Sequence, residues 1–346
     1  MEKHINKHLL GWYKNNKRDL PWRRLQANKL PNPYYIFVSE YMLQQTTVPT
    51  VKKRFEEFIK KWPNIKKLSL ISESKILNFW VGLGYYTRAR NLLKAAKLIQ
   101  KNYRGRIPEN FEDLINLPGI GDYTAKAILG IAFNQAFIPL DANIERIISR
   151  IFAYQLPIIK IKKQLEKKSI KFISKKYSSQ LIQAFMDYGS LICTPRNPKC
   201  KICLFNMNCK SYSKNLQNQI PVKNKKISKK LLKFSRAYIF NNEKNEILIR
   251  KRPSKGMLAS MFEVPNDVWV NNKKDLIKDK LILNIKNKIV SKGLVKYSFT
   301  HFDLETEVFI INVKKNKFLN YRWIKQTKIT KSGLPTLMKK IVAVAI

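Results

Sequence analysis

Acidic residues are scarce in this chain: 23 Asp and Glu stand against 68 Lys and Arg in 346 residues, a formal net charge of +45. That imbalance makes a polyanion the expected partner, because Lys and Arg that bind phosphates release condensed counterions. Part of the charge is compositional, since Lys, Asn and Ile recur throughout, as from Asn241 to Leu248. Long apolar runs are missing too. Nothing approaches the roughly 18 consecutive apolar residues of a membrane span. No charged-then-apolar leader with a small-residue cleavage site is visible, and the final IVAVAI is too short to anchor the chain. The expectation is a soluble cytoplasmic protein with no membrane partner. Cysteine is the third shortage: there are four, all within 193–209, and a cytoplasmic setting argues against two disulfides.

What is present can bury a core. With 45% hydrophobic and 11% aromatic residues, the length suits two domains better than one, and no internal repeat is visible. Residues 1 to about 210 place apolar side chains three and four apart (Ile5, Leu9, Trp12; Val51, Phe55, Phe58, Ile59; Leu92, Ala95, Ala96, Ile99), which predicts an all-α domain over 1–212. Residues 213–233 are basic and poor in large apolar side chains, as expected of a linker along a phosphate surface. The period then becomes two. RAYIFNNEKNEILIRKR suggests two strands joined by a polar turn, and Leu304, Thr306, Val308 and Ile310 alternate along another. Residues 234–346 are therefore expected to form an α+β domain closed by a short helix near LPTLMKKIVAVA.

Three features carry chemistry. Cys193, Cys200, Cys203 and Cys209 are separated by six, two and five residues, close enough to wrap one metal centre, either a tetrahedral zinc or a 4Fe-4S cluster. Glu40 lies on a helix among Ile36, Phe37, Tyr41 and Leu43, where desolvation should raise its pKa and make it a proton donor near neutral pH. Asp141 precedes an amphipathic helix, where it should cap backbone N–H groups and be held anionic. One carboxyl biased protonated and one biased ionised can break a glycosidic bond through an oxocarbenium-like state. Between them, LPGIGDYTA places Gly119 and Gly121 at a tight turn, with a helix start offering free N–H groups to an anion. Taken singly, an exposed helical Glu, a capping Asp and an ordinary helix-to-helix turn are the bland alternatives.

Together DLPWR (19–23), SEYMLQQT (39–46), GLGYYTRARN (82–91), LPGIGDYTA (117–125), the Asp141 segment and the cysteine loop resemble the helix-hairpin-helix glycosylase superfamily and, within it, the MutY family of adenine DNA glycosylases. The likeness covers nearly the whole chain. It implies a 4Fe-4S cluster on the four cysteines, and a duplex partner with A opposite 8-oxoguanine or G, bound by a monomer. Glu40 would protonate the leaving adenine and later activate water, Asp141 would stabilise the sugar cation, and Tyr123 and Asn143 would line the pocket. Gln45 and Tyr85 would wedge into the duplex. The family's Asp-Gly-Asn is Asp141-Ala142-Asn143 here, so a Cβ stands near the expected site.

The second domain is similar to that family's Nudix-like C-terminal domain, with Phe299, Thr300 and His301 at its Phe-Ser-His loop and Phe262 replacing a Trp. The acidic helix that would hold Mg²⁺ for pyrophosphate hydrolysis is absent, so recognition of 8-oxoguanine rather than hydrolysis is implied. Two rivals differ in class. An endonuclease III-like glycosylase and lyase needs a lysine where Tyr123 stands, and a non-catalytic iron-sulfur DNA-binding protein would not need Glu40 and Asp141.

Overall fold

The computed structural model describes residues 2–222, 230–253, 256–283, 285–315 and 318–346. Residues 223–229 of the expected linker lie outside this set, and the linker's last three positions, 231–233, already belong to a strand. Two compact units form: residues 1–70 with 91–226, and residues 71–90 with 227–346. The assignment of 71–90 to the second unit departs from the boundaries read from periodicity.

The first unit is helical. Its Pro33–Leu43 helix starts with Asn32 accepting from the Tyr34 N–H and with Pro33 in the first turn. Tyr34, Ile36, Phe37, Val38, Tyr41 and Met42 are buried around its whole circumference, so this helix belongs inside a core rather than on a surface. Glu40 is carried in with them. The Ser178–Leu191 helix is also buried along most of its length and packs on the helices Glu2–Asn16, Asp122–Ala132 and Ala142–Phe152. Gly189 permits a close approach to the last of these, because a Cβ there would lie 2.5 Å from Cβ of Asn143. A glycine on one helix thereby sets the depth of the Asp141–Asn143 turn.

In the second unit a mixed sheet is built from β1 (Leu231–Asn241), β2 (Glu246–Lys251), β3 (Phe262–Glu263), β4 (Ile289–Ser298), β5 (Phe302–Asn312) and β6 (Tyr321–Lys325). The order is β3-β2-β1-β5-β4, with β6 also on β2. β1 runs parallel to β5 from Leu231↔Phe302 to Asn241↔Asn312, and meets β2 antiparallel at Asn241↔Ile247. Alternation sorts the β1 side chains. Ala237 and Ile239 join Leu304, Val308 and the Thr336–Ala345 helix on one face, while Tyr238 and Phe240 join Leu248, Ile282 and Ile311 on the other. Both faces are thus covered, which explains the nearly unbroken apolar run AYIF in β1. No helix among the described residues is long and apolar enough to cross a membrane.

Candidate active site and cysteine cup

A cleft of about 740 Å³ in the helical unit is lined by Glu40, Gln45, Tyr123, Asp141, Ala142 and Asn143, together with Arg18, Trp22 and Arg23. Glu40 is 6% exposed. Burial, followed by the charge of Asp141, pushes its carboxyl up to about 7, against the opposing pull of the Tyr123 hydroxyl that donates to it and of Arg23. Tyr123 is held as a phenol, raised well above its ordinary value by burial and by the two carboxylates.

Asp141 caps the Ala142–Phe152 helix. Its Oδ1 accepts from the backbone N–H of Asn143 at 3.0 Å and of Ile144 at 2.7 Å, and its Oδ2 accepts from the Asn143 side chain at 2.8 Å. The expectation that capping holds its pKa down is corrected here. Burial outweighs the capping bonds and raises the carboxyl, while those bonds and Arg146 limit the rise. The contrast between the two carboxyls therefore rests on partners: Asp141 accepts three hydrogen bonds, whereas Glu40 is opposed chiefly by one hydroxyl and a more distant cation. Ala142 is the first residue of its helix and is exposed. It is not among the residues with positive φ, so a methyl is accepted where the family has glycine.

The turn between the Phe111–Ile115 and Asp122–Ala132 helices separates the roles of its two glycines. Gly119 has φ +83, and a Cβ there would sit 2.8 Å from Cβ of Asn91; its carbonyl accepts from Gln44 at 3.2 Å. Gly121 has φ −106 with open space around the Cβ position, so among the described residues no close contact requires glycine there. It stands instead as the N-cap, with no side chain on the N–H groups of the Asp122–Ala132 helix. Those groups remain free for an anion. Gln45 is exposed at the cleft with φ 56.

The sheet unit gathers a different set. Thr300 and His301 are exposed between β4 and β5, while Phe299 packs against Tyr297, Trp269 and Phe302. Tyr85, 43% exposed and at φ 47, hydrogen-bonds through its hydroxyl to Thr300 Oγ1 at 2.5 Å. Arg88 lies over the Tyr85 ring.

All four cysteines are free and line one cavity with Ile147, Arg150, Phe205 and Tyr212. Burial raises the thiols of Cys200 and Cys209, and that of Cys203 to about 11. Donors nevertheless point at sulfur: the Phe205 N–H and Arg150 Nη1 lie 3.4 and 3.3 Å from Cys203 and Cys193 Sγ, and the Tyr212 and Ser211 N–H groups face Cys209. A cup of four sulfurs with N–H donors around it fits a thiolate-bound metal group. Among the described residues, no three Cys, His, Asp or Glu side chains converge tightly enough for a single ion.

Several residues of the site escaped the sequence reading. Arg18 and Arg23 bind the fully buried Asp187 at 2.7 and 2.8 Å across more than 160 positions, and only Arg23 lies within the motif DLPWR. Arg146 donates to Asn143 Oδ1 at 2.9 Å and to the Gly189 and Cys193 carbonyls. Arg146 and Arg150 lie off the stripe of Ile144, Ile147, Ile148 and Ile151 yet are buried, and no local pattern signals that.

Residues 38–175 match the HhH-GPD superfamily of base excision DNA repair proteins, and residues 236–344 match the NUDIX domain. The adenine DNA glycosylase of Buchnera aphidicola subsp. Baizongia pistaciae is 37% identical, across 96% of this chain and 94% of its own. The human adenine DNA glycosylase is 27% identical, across 96% of this chain and 72% of its own. Among solved structures, a thermostable thymine-DNA glycosylase is 28% identical with a TM-score of 0.56, across 62% of this chain and 97% of its own. The helical cleft with its paired carboxyls, the sheet unit behind it in the chain and the near full-length likeness agree: the chain belongs to the adenine DNA glycosylase family of base excision repair enzymes.

Proposed function

We propose that this protein is a monofunctional glycosylase, acting as a cytoplasmic monomer, that removes adenine opposite 8-oxoguanine or G in duplex DNA. The flipped adenosine would enter the Glu40 cleft, since its glycosidic bond is unreachable in the stack. Glu40 donates a proton to an adenine ring nitrogen, the glycosidic bond breaks, and Asp141 stabilises the sugar cation until Glu40 activates water. Asn143 holds Asp141 by its side-chain amide, and Tyr123 holds Glu40. The observation that carries this reading is the buried Glu40 with its pKa pushed up to about 7 beside a hydrogen-bonded Asp141. Residues 1–212 carry the chemistry. Thr300 and His301 read the opposite base, Gln45 and Tyr85 each wedge into the duplex, and the bare N–H groups after Gly121 hold a backbone phosphate.

The monofunctional reading is supported by where the amines are. Lys126, in the hairpin's second helix, pairs with Asp122 at 2.7 Å and lines a neighbouring cavity but not the cleft, whereas Tyr123 borders both. A lyase needs a neutral amine beside the sugar carbon. The four cysteines would hold a 4Fe-4S cluster whose contribution is to fix the loop that carries Arg196, Lys199 and Lys201.

Incubation with a duplex holding A opposite 8-oxoguanine should release adenine and cut the strand only after alkali. A thymine-glycol duplex should be left intact. Borohydride should trap little complex with the parent and more with Tyr123→Lys; strong trapping by the parent would sink the monofunctional assignment.

A further inference from the structure

Arg150 is among the largest fully buried side chains, 2% exposed, and its guanidinium is spent on one region of the chain. Nε donates to the Ile220 carbonyl at 2.8 Å, Nη1 to the Thr194 carbonyl at 2.7 Å and to Cys193 Sγ at 3.3 Å, and Nη2 to the Pro195 carbonyl at 3.3 Å. Its own carbonyl lies 3.4 Å from Cys209 Sγ. One residue of the Ala142–Phe152 helix therefore touches the first and last cysteines and both ends of the stretch from Cys193 to Ile220. Among the described residues, no carboxylate pairs with it. A buried guanidinium satisfied only by neutral groups is costly, and the cup it faces is where thiolates would supply the missing negative charge.

We propose that Arg150 is the counter-ion and staple of the cysteine cup. It holds segment 193–220 closed before a metal group arrives, and its positive charge and N–H···S bond stabilise the more negative, reduced form once the group is bound. This rests on the cluster reading above. Removing the charge should lower the cluster's reduction potential, because a nearby cation and hydrogen bonds to sulfur favour the added electron.

The test compares the purified, loaded parent with Arg150→Met, Arg150→Lys and, as a control for surface charge, Arg196→Gln. Iron and sulfide per chain, bleaching of the visible absorption under a chelator, and the midpoint potential without DNA are measured. Arg150→Met should bleach on the order of 10- to 100-fold faster, the range seen when a residue supporting a ligand is lost, and its potential should fall. Arg150→Lys, which keeps the charge but not the fork, should bleach faster with a smaller fall in potential. Arg196→Gln should match the parent. If Arg150→Met is insoluble, the bleaching rate of Arg150→Lys decides. Parent-like bleaching and potential in every soluble Arg150 variant would overturn the assignment, whereas a parent free of iron would overturn the cluster reading on which it rests.

Discussion

In the helical unit the two carboxyls facing the cleft are held by burial and hydrogen bonds, with Glu40 6% exposed and Asp141 bonded on both oxygens. In the sheet unit Thr300 and His301 stand in solvent, and the hydroxyl of Tyr85 reaches Thr300 from an exposed ring. The difference is one of leverage. Desolvation changes what a group can do to a bond, and so moves a rate by orders of magnitude. An exposed hydroxyl or imidazole gives up a bond to water for each bond to a base, leaving about 0.5–1.5 kcal/mol with which to discriminate. The proposed chemistry and the proposed inspection would thus sit in environments suited to each.

Breaking the buried side should have the largest effect. Glu40→Gln keeps the shape and loses the proton, so adenine release in single turnover should fall on the order of 100- to 10,000-fold while duplex affinity is retained. Release within threefold of the parent would make Glu40 only a helix residue. Under the proposed mechanism the protonated form of Glu40 is the working one, so kcat/KM for adenine release by the parent should decline as pH rises through about 7.

The same burial carries a stability cost. Because the folded pKa of Glu40 is raised above the ordinary carboxyl value, the folded state keeps a proton that the unfolded chain has released between that value and about 7. Stability therefore falls as pH rises across this window and is flat above it, a loss on the order of 3 kcal/mol. Glu40→Gln should then melt several degrees above the parent at pH 8, with the gap closing toward pH 5. A gap independent of pH would mean that Glu40 is not held protonated.

The hairpin repeats the comparison on a smaller scale. Gly119→Ala forces a Cβ against Asn91 at a positive φ and should cost roughly 1–3 kcal/mol of stability. Gly121→Ala meets open space, so it should cost under about 1 kcal/mol, the N-cap preference, and act mainly on duplex affinity. Equal melting losses in the two variants would show that the turn does not distinguish them.

Much of this was legible in the sequence. Apolar spacing gave the helical half, and Val51, Phe55, Phe58 and Leu92 are buried as that spacing requires. Alternation at Leu304, Thr306 and Val308 marked β5. The burial of Glu40 could be read from neighbours on its own helix. Three things could not. The parallel pairing of β1 with β5 joins residues about 70 positions apart, and no local pattern records such a register. The Arg18–Asp187–Arg23 cluster and the Arg150 contacts also depend on distant partners. The net rise of the Asp141 pKa was missed because capping is visible in sequence, whereas the depth of burial that opposes it is set by tertiary packing such as that at Gly189.

The smallest effect belongs to the exposed loop. Thr300 is bonded to Tyr85 within the sheet unit, and His301 is free of the packing that fixes Phe299. Replacing Thr300 and His301 together by Ala removes two solvent-exposed polar groups while leaving Phe299 against Trp269 and Phe302, so the sheet should keep its melting temperature. What should change is the ratio of adenine release opposite 8-oxoguanine to release opposite G, by roughly 2- to 10-fold if one net hydrogen bond to the lesion is lost. The rate opposite G should hold, because every group of the Glu40 cleft is untouched. A fall in both rates by the same factor would place the loop's contribution in general duplex binding, and an unchanged ratio would remove it from recognition altogether. Thr300→Ser refines the point. Serine keeps the hydroxyl that meets Tyr85, so its ratio should stay with the parent, and erosion by serine alone would assign the discrimination to the threonine methyl rather than to the hydrogen bond.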